Sequence, residues 1–591
     1  MAKSHGGSII GNRLASHGVS HMFTLCGGHI SPILTGSEDA GIDIVDVRDE
    51  KNAVFAADAV ARMTGIPGVA AVTAGPGVTN TVTAVKNAQL AESPVIILGG
   101  ATATILKGRG ALQDIDQMSL MKSVTKWHTR VTKISSLAPT IDKAVEVATG
   151  GVPGPVFIEI PVDLLYEEDI VRGWYVEESG VDKMSGPAGK AMELYLKGHL
   201  ARLFSAPHLG IDLDLDLDME SIESALPYPP NPKKQLERAA RAYERSEKPV
   251  LVVGNQAMVN MKPHRARLLA ESIEALGMPV FLGGSARGLL GRFSDIQFRH
   301  KRTKALRGAD YVIVAGFPFD FRMGYGRKIN SDATLVSANL SPKQLRKNRI
   351  PDIPAQTHPG EFLIELANRV SPRNGAWDDW FDELHDRESA RDAEIATMAE
   401  DRDELVNPMY FFERMEEHLA DDSVLVVDGG DFVATGAYIL RPRGPLSWLD
   451  PGVFGTLGVG GGFALGAGLI RPDAEIWIVW GDGSSAYSLA EFDTYVRFGL
   501  APIAVIGTDA SWAQIAREQV EILGTPLGTE LRRTEYHKVA EGYGGEGILV
   551  TDNDDIDEAL EKAKKLSAEG TPVVVNLHLA ESDFRKGSIS M

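Results

Sequence analysis

The chain has 591 residues, enough for three or four domains at about 150 residues each. Its 44% hydrophobic and 24% charged residues are the balance of a globular protein. A formal net charge of −20 argues against non-specific nucleic-acid binding, and any anionic cofactor has to be held by local groups against the overall field. Cys26 is the only cysteine, which excludes a disulfide framework and a cysteine-based zinc site and fits a reducing compartment.

The first residues, MAKSHGGSII, are polar and lead into a helical pattern. They lack the apolar stretch of a signal peptide or anchor, and no run of 18 or more apolar residues follows elsewhere. The expectation is a cytoplasmic protein with no membrane partner. Residues 1–185 contain the strand-like HMFTL, a helical stretch VRDEKNAVFAADAVARMTG, and the apolar runs GVAAVTAGPG, SPVIILGG and GPVFIEIPVD. Residues 186–231 read as an acidic, Pro-containing linker or insert. Within it, the alternation in IDLDLDLDME suits a half-exposed edge strand, but its aspartates and the following LPYPPNP favour a surface excursion.

Residues 232–372 carry KPVLVVGNQ and ADYVIVAGF, and residues 373–406 read as a solvated helical linker. Residues 407–575 carry SVLVVDGGD, EIWIVWGDG and PIAVIGTD, leaving 576–591 as a tail. Apolar runs this continuous suit strands buried on both faces of a parallel sheet. Their alternation with helical stretches predicts an α/β chain of three doubly wound parallel-sheet domains. Ligands in such sheets sit beyond the carboxyl ends of the strands, where Gly or Asp follows most of these runs.

The sharpest pattern lies in the third segment. EIWIVW ends in Gly481-Asp482-Gly483-Ser484, a helical stretch follows, and PIAVIG ends in Thr508-Asp509-Ala510-Ser511. Asp482 and Asp509 are 27 residues apart, one strand–helix–strand unit, so both fall at carboxyl ends of parallel strands. On neighbouring strands the two carboxylates can face one cation. Mg²⁺ takes hard oxygen ligands and keeps phosphate oxygens and water. Gly481 and Gly483 allow close backbone approach to a phosphate, and the amides of Ser484 and Ser485 can donate to it. A GDG triplet alone is more often a plain turn; the spacing and its context reverse that reading.

The stretch Gly481–Ser511 resembles the thiamine-diphosphate motif, which begins with GDG and ends at an Asn. The resemblance implies that Asp482, Asp509 and the carbonyl of Ser511 ligate Mg²⁺. Asp509 departs from the Asn that most of the family has. The run from Pro451 to Gly458 resembles the segment whose bulky apolar residue, here Leu457, wedges the cofactor into a bent form. Gly455 and Leu457 would then hold its aminopyrimidine. VVDGGDF, with Asp431, is similar to a turn beside the diphosphate, and Trp512 would line the pocket. Glu50 matches the family's activating glutamate, and AGPGVTNTVT, with Pro76, its pyrimidine-side loop. A carboxylic acid on the pyrimidine promotes the tautomer that takes the thiazolium proton. The three domains would be pyrimidine-binding, central and diphosphate-binding. In this family Glu50 and the diphosphate site come from different subunits, which implies a homodimer or homotetramer with active sites at subunit interfaces.

The closest likeness is to benzaldehyde lyase and to the acetolactate-synthase-like 2-hydroxyacyl-CoA lyases. GDGSSAYSLAEFDTYVRFG, TDASWAQIAREQ and the tail FRKGSISM, a candidate lid, carry it. It implies that His29 and Gln113 face the substrate's carbonyl and hydroxyl, with Gln514 and Ile515 along the pocket and Glu518 a weaker candidate. The expected substrate is a small molecule, a CoA thioester, cleaved between C1 and C2 to an aldehyde or ketone and formyl-CoA; 2-hydroxyisobutyryl-CoA is one candidate. The alternatives are an acetolactate-synthase- or benzaldehyde-lyase-type enzyme acting on free 2-keto acids or aldehydes, and a non-catalytic cofactor-binding scaffold. Relatives use the central domain for FAD, ADP or part of CoA, or leave it empty. Here an ADP or CoA moiety would meet Arg287, Arg322 and Arg327, unless these are ordinary surface arginines.

Overall fold

The structure, a computed structural model, describes residues 5–204, 231–373, 375–402 and 405–587. The chain divides into two compact units, Met1–Ala61 with Ile66–Pro227, and Arg62–Gly65 with Tyr228–Met591. Among the described residues no helix is long and apolar enough to cross a membrane.

The first unit is built on six parallel strands: β1 (His21–Leu25), β2 (Asp43–Asp46), β3 (Gly68–Val72), β4 (Val95–Ala101), β5 (Trp127–Arg130) and β6 (Val156–Pro161). Their order is β2-β1-β3-β4-β6-β5. The inner strands β3, β4 and β6 are buried at every position, which is why they read as unbroken apolar runs.

The second unit holds two further parallel sheets. One contains β7 (Pro249–Val253), β8 (Val280–Leu282), β9 (Tyr311–Ala315), β10 (Thr334–Asn339) and β11 (Ile353–Gln356), in the order β11-β10-β9-β7-β8. The other contains β12 (Val424–Val427), β13 (Trp448–Leu449), β14 (Ile476–Gly481), β15 (Ile503–Thr508), β16 (Glu546–Val550) and β17 (Val573–His578), in the order β13-β12-β14-β15-β17-β16. Three parallel sheets flanked by helices are the α/β architecture expected from the sequence. All eight apolar runs named above lie on strands. β17 continues to His578, past residue 575, where the sequence reading ends the domain.

The linker expected from residue 186 begins instead with a helix, Gly186–Phe204. The cause is local. Leu196, His199, Leu200 and Leu203 recur at helical spacing and are its buried face, and Glu193 pairs with Lys197 one turn on, at 2.7 Å. The Thr104 hydroxyl donates to Asp163 at 2.5 Å, so the His199 Nε2–H donates to Thr104 Oγ1, 2.9 Å away. IDLDLDLDME lies outside the described residues. Leu200→Ala should remove about 2–5 kcal/mol of packing, read as faster amide exchange across Gly186–Phe204; unchanged exchange there would contradict the docking.

Candidate functional site

In the second unit β14 and β15 are direct neighbours, with Gly481 opposite Gly507. Asp482 and Asp509 therefore leave the same sheet end side by side. The loop after β15 is tied to the loop after β14: the Ala510 amide donates to Asp482 Oδ2 at 2.9 Å. The Gly483 amide donates to Asp482 Oδ1 at 2.7 Å, and the Ser511 amide donates to Asp509 Oδ1 at 3.0 Å. Ala510 sits at φ 60°, a left-handed conformation that costs a non-glycine residue free energy and clusters at functional sites. The loop is backed by Trp512, whose amide donates to the Thr529 carbonyl at 2.8 Å. Its ring lies where a Cβ on Gly483 would be, 2.4 Å from it. Only glycine permits that contact.

Burial raises the Asp482 carboxyl from 3.8 to about 6. Burial, and then the charge of Asp482, raises Asp509 from 3.8 to about 7. A buried Asp482 carboxyl beside the half-buried one of Asp509 is costly without a cation. Among the described residues no three acidic, His or Cys side chains form a metal cage. Two carboxylates and a carbonyl suit Mg²⁺, which commonly takes one or two carboxylates and completes its shell with phosphate and water. The donor set fits the ion.

Ser484 and Ser485 lie in the short helix Asp482–Ser485. Gly481 donates to Ser484 Oγ at 3.1 Å, and Ser485 Oγ donates to the Asp482 carbonyl at 2.8 Å. Asp431 opens helix Asp431–Ile439 and is paired with Arg517. Its Oδ1 is buried without a partner among the described residues. Leu457 is half-buried and reaches over Gly429, where a Cβ would come within 2.4 Å of it. A Cβ on Gly455 would meet nothing within 4 Å, so open space lies beside this turn.

Asp428, which sequence reading quotes only within its turn, holds this segment. Its carboxylate accepts from the Gly458 amide at 2.8 Å, the Gly460 amide at 2.7 Å and the Trp480 indole at 3.2 Å. Burial raises it to about 6. The available signal was an Asp at the tip of an apolar strand. Arg517 was missed as well: besides pairing with Asp431 it donates to the Arg585 carbonyl at 3.1 Å. The adjoining Phe584 is buried against Tyr438, at a ring separation of 5.7 Å. The described part of the tail is thus packed onto this unit. Gln514 and Glu518 are half-buried and Ile515 exposed, all on helix Ala513–Leu523.

The arginines of the central sheet are largely spent on protein. Arg287 is half-buried, donates to the Ala437 carbonyl at 2.8 Å and stacks over Trp448. Arg322 pairs with Asp320 at 2.7 Å, and Arg327 lies over Tyr325.

In the first unit Glu50 opens helix Glu50–Thr64 and is 6% exposed. Its Oε2 accepts from Asn80 Nδ2 at 3.0 Å. Asn80 ends the short helix Pro76–Asn80, which Pro76 begins. A Cβ on Gly77 would sit 3.6 Å from Glu50 Oε1, so this turn closes over the carboxyl. His29 follows β1; its Nδ1 is 3.4 Å from Thr73 Oγ1, and burial lowers its pKa from 6.5, which favours the neutral ring. Gln113 is half-buried at φ 62°, the second non-glycine candidate residue in a left-handed conformation.

Because Asp482 and Asp509 are raised in the fold, their protons stabilise the cation-free protein fully below the unfolded value of 3.8, and that contribution is lost as pH rises through about 6 and about 7. Mg²⁺ needs the ionised forms. Thermal shift by Mg²⁺ should be larger at about pH 8 than at about pH 5.5; equal shifts in scanning fluorimetry would remove both residues as ligands.

Three stretches match family models: residues 4–120, described as "Thiamine pyrophosphate enzyme, N-terminal TPP binding domain"; residues 236–366, the "central domain"; and residues 428–577, the "C-terminal TPP binding domain". The chain is 46% identical to 2-hydroxyacyl-CoA lyase 2 of Danio rerio over 99% of its own length and 93% of that protein. It is 43% identical to 2-hydroxyacyl-CoA lyase 2 of Homo sapiens over 99% and 92%. The acetolactate synthase large subunit of Mycobacterium tuberculosis is 31% identical over 97% and 95%. The chain belongs to the thiamine pyrophosphate enzyme family.

Proposed function

We propose that this protein is a thiamine-diphosphate-dependent lyase that cleaves the C1–C2 bond of a 2-hydroxyacyl-CoA, releasing an aldehyde or ketone and formyl-CoA. The near-full-length likeness to lyases of that name carries the reading. The two halves of the site, each with the chemistry its role requires, support it.

When bound, thiamine diphosphate supplies a nucleophilic carbon and an electron sink. Asp482, Asp509 and the Ser511 carbonyl would hold Mg²⁺ for the diphosphate, with Gly481, Gly483, Ser484 and Ser485 around it and Trp512 behind. Leu457 and Gly455 would shape and hold the aminopyrimidine. Glu50 would exchange a proton with the pyrimidine, its Oε2 oriented by the Asn80 amide. His29, favoured neutral by burial, is suited to take the proton of the 2-hydroxyl, a base role for which a near-neutral group is best. Gln113 supplies an amide to the substrate, and Gln514 lies on the helix that leaves the metal loop.

A homodimer or homotetramer, Glu50 of one copy serving the cofactor of another, is the proposed assembly. A cytoplasmic location and a CoA thioester substrate such as 2-hydroxyisobutyryl-CoA belong to the same reading. An ADP or CoA moiety on the central sheet would have to use groups other than Arg287, which is committed to the Ala437 carbonyl.

The acetolactate synthase relative favours a second reading, carboligation of free 2-keto acids. Purified protein given a 2-hydroxyacyl-CoA should yield formyl-CoA or formate; turnover of pyruvate or benzoin alone would reject the lyase. Glu50→Ala should retain thiamine diphosphate yet lose at least about 100-fold in kcat, the scale of a lost proton-transfer group. Full activity in that variant would reject the role, and absence of any turnover in the wild type would favour a scaffold.

A further inference from the structure

Gln117 belongs to none of the roles above, yet it is 2% exposed and opens helix Gln117–Lys122, just after Gln113 in the chain. Its side-chain oxygen accepts from the Gly75 amide at 2.8 Å. Its nitrogen donates to the Gly100 carbonyl at 3.0 Å and to Glu159 Oε2 at 3.2 Å. Gly75 follows β3, Gly100 lies on β4 and Glu159 on β6, three adjacent strands. One amide therefore fastens three neighbouring strand ends and uses both of its hydrogens. Rotating it by half a turn would set its N–H against the Gly75 N–H and its oxygen against a carbonyl and a carboxylate, so only one orientation is satisfied. Glu159, fully buried, is itself fixed by Arg130 and by Lys107 at 3.3 Å.

The groups fastened this way are those that shape the expected substrate site. Gly75 has φ 64°, and a Cβ there would come within 3.0 Å of both Cβ and the carbonyl oxygen of Gln113. The Gly75 backbone is thus the wall against which the left-handed Gln113 rests. A Cβ on Gly100 would lie 2.7 Å from the His29 Cβ, so the same amide steadies the floor under His29. A residue held in a costly backbone conformation persists only where its surroundings over-determine it.

We infer that Gln117 is a positioning residue for the reaction: it holds the Gly75 turn and the end of β4 so that Gln113 and His29 keep their working geometry. The inference rests on the proposed role of Gln113 and His29 at the substrate. In the full-length holoenzyme, Gln117→Met keeps the side-chain volume and removes all three bonds. It should lower kcat about 30-fold, with KM moving less than about 3-fold and bound thiamine diphosphate unchanged, as displacement of catalytic groups by a fraction of an ångström does. Combined with Gln113→Ala, it should add little, because the two act as one unit; independent effects would multiply. Without any substrate, amide exchange of residues 105–116 should quicken in Gln117→Met.

A kcat within about 3-fold of wild type, multiplicative losses, or unchanged exchange in that loop would each overturn the inference. Should Gln117→Met fail to fold, Gln117→Asn, one methylene too short to reach all three partners, carries the same expectations. If wild-type protein turns over pyruvate and no 2-hydroxyacyl-CoA, the lyase reading fails, while the coupling of Gln117 to Gln113 is still decided on pyruvate and by exchange.

Discussion

The parallel pairing of β14 with β15, Gly481 against Gly507, is the constraint on which the diphosphate half depends. It converts a sequence separation of 27 residues into two carboxylates at one sheet end. A slip of the pairing would separate the two loops and break the Ala510 bond to Asp482. The arrangement is costly in isolation: burial and mutual repulsion oppose ionisation of both acids, and Ala510 is held at positive φ. Those costs make sense at a site that binds a cation, because a divalent ion reverses the electrostatic one and rewards the strained loop for its shape.

The substrate half follows the same plan with neutral groups. Its strands end in small residues, and the space they leave is taken by neighbouring backbone and by one amide with every hydrogen used. Networks of this kind are rigid when complete and expensive when broken. Asp428 is the counterpart in the second unit, one buried carboxylate receiving two backbone amides and an indole. In both halves a buried side chain behind the expected contact groups, Asp428 or Gln117, is bonded to backbone from more than one segment. Division of labour between residues that shape a site and residues that meet its ligand keeps the site formed before that ligand arrives.

This division also explains what could be read from the chain. Eight of the inner strands were recognisable as unbroken apolar runs because both of their faces are covered, although the inner β10 and β17 were not among them. The edge strands were not: β5 is half-buried throughout, β13 has two residues, and β11 carries Pro354. Helix Gly186–Phe204 was overlooked although Leu196, Leu200 and Leu203 mark its buried face, because the Asp/Leu run beyond it dominates the composition of that stretch. Residues with a reactive role stood out through motif and resemblance. Supporting residues such as Asp428, Asn80 and Gln117 did not, since their importance lies in which distant backbone groups they meet, and only the topology decides that.

The aspartate at 509 can be understood through the charges around it. Asp431, Asp482 and Asp509 form one acidic group, as the effect of the first two on the third requires. Arg517 is bound to Asp431, and Arg533 lies close enough to Asp509 to favour its ionised form while donating to the Thr508 carbonyl at 2.9 Å. Three carboxylates against two guanidiniums carry a formal charge of minus one, which Mg²⁺, bound as proposed, would turn into plus one. With Asn at 509 the pocket would be neutral, then doubly positive. In the proposed holoenzyme Asp509 would therefore strengthen the hold on the cation and weaken the pull on a diphosphate, shifting the burden of cofactor retention onto the metal. The two arginines would keep that exchange within bounds, since without them the acids would repel the diphosphate even with the proposed ion in place.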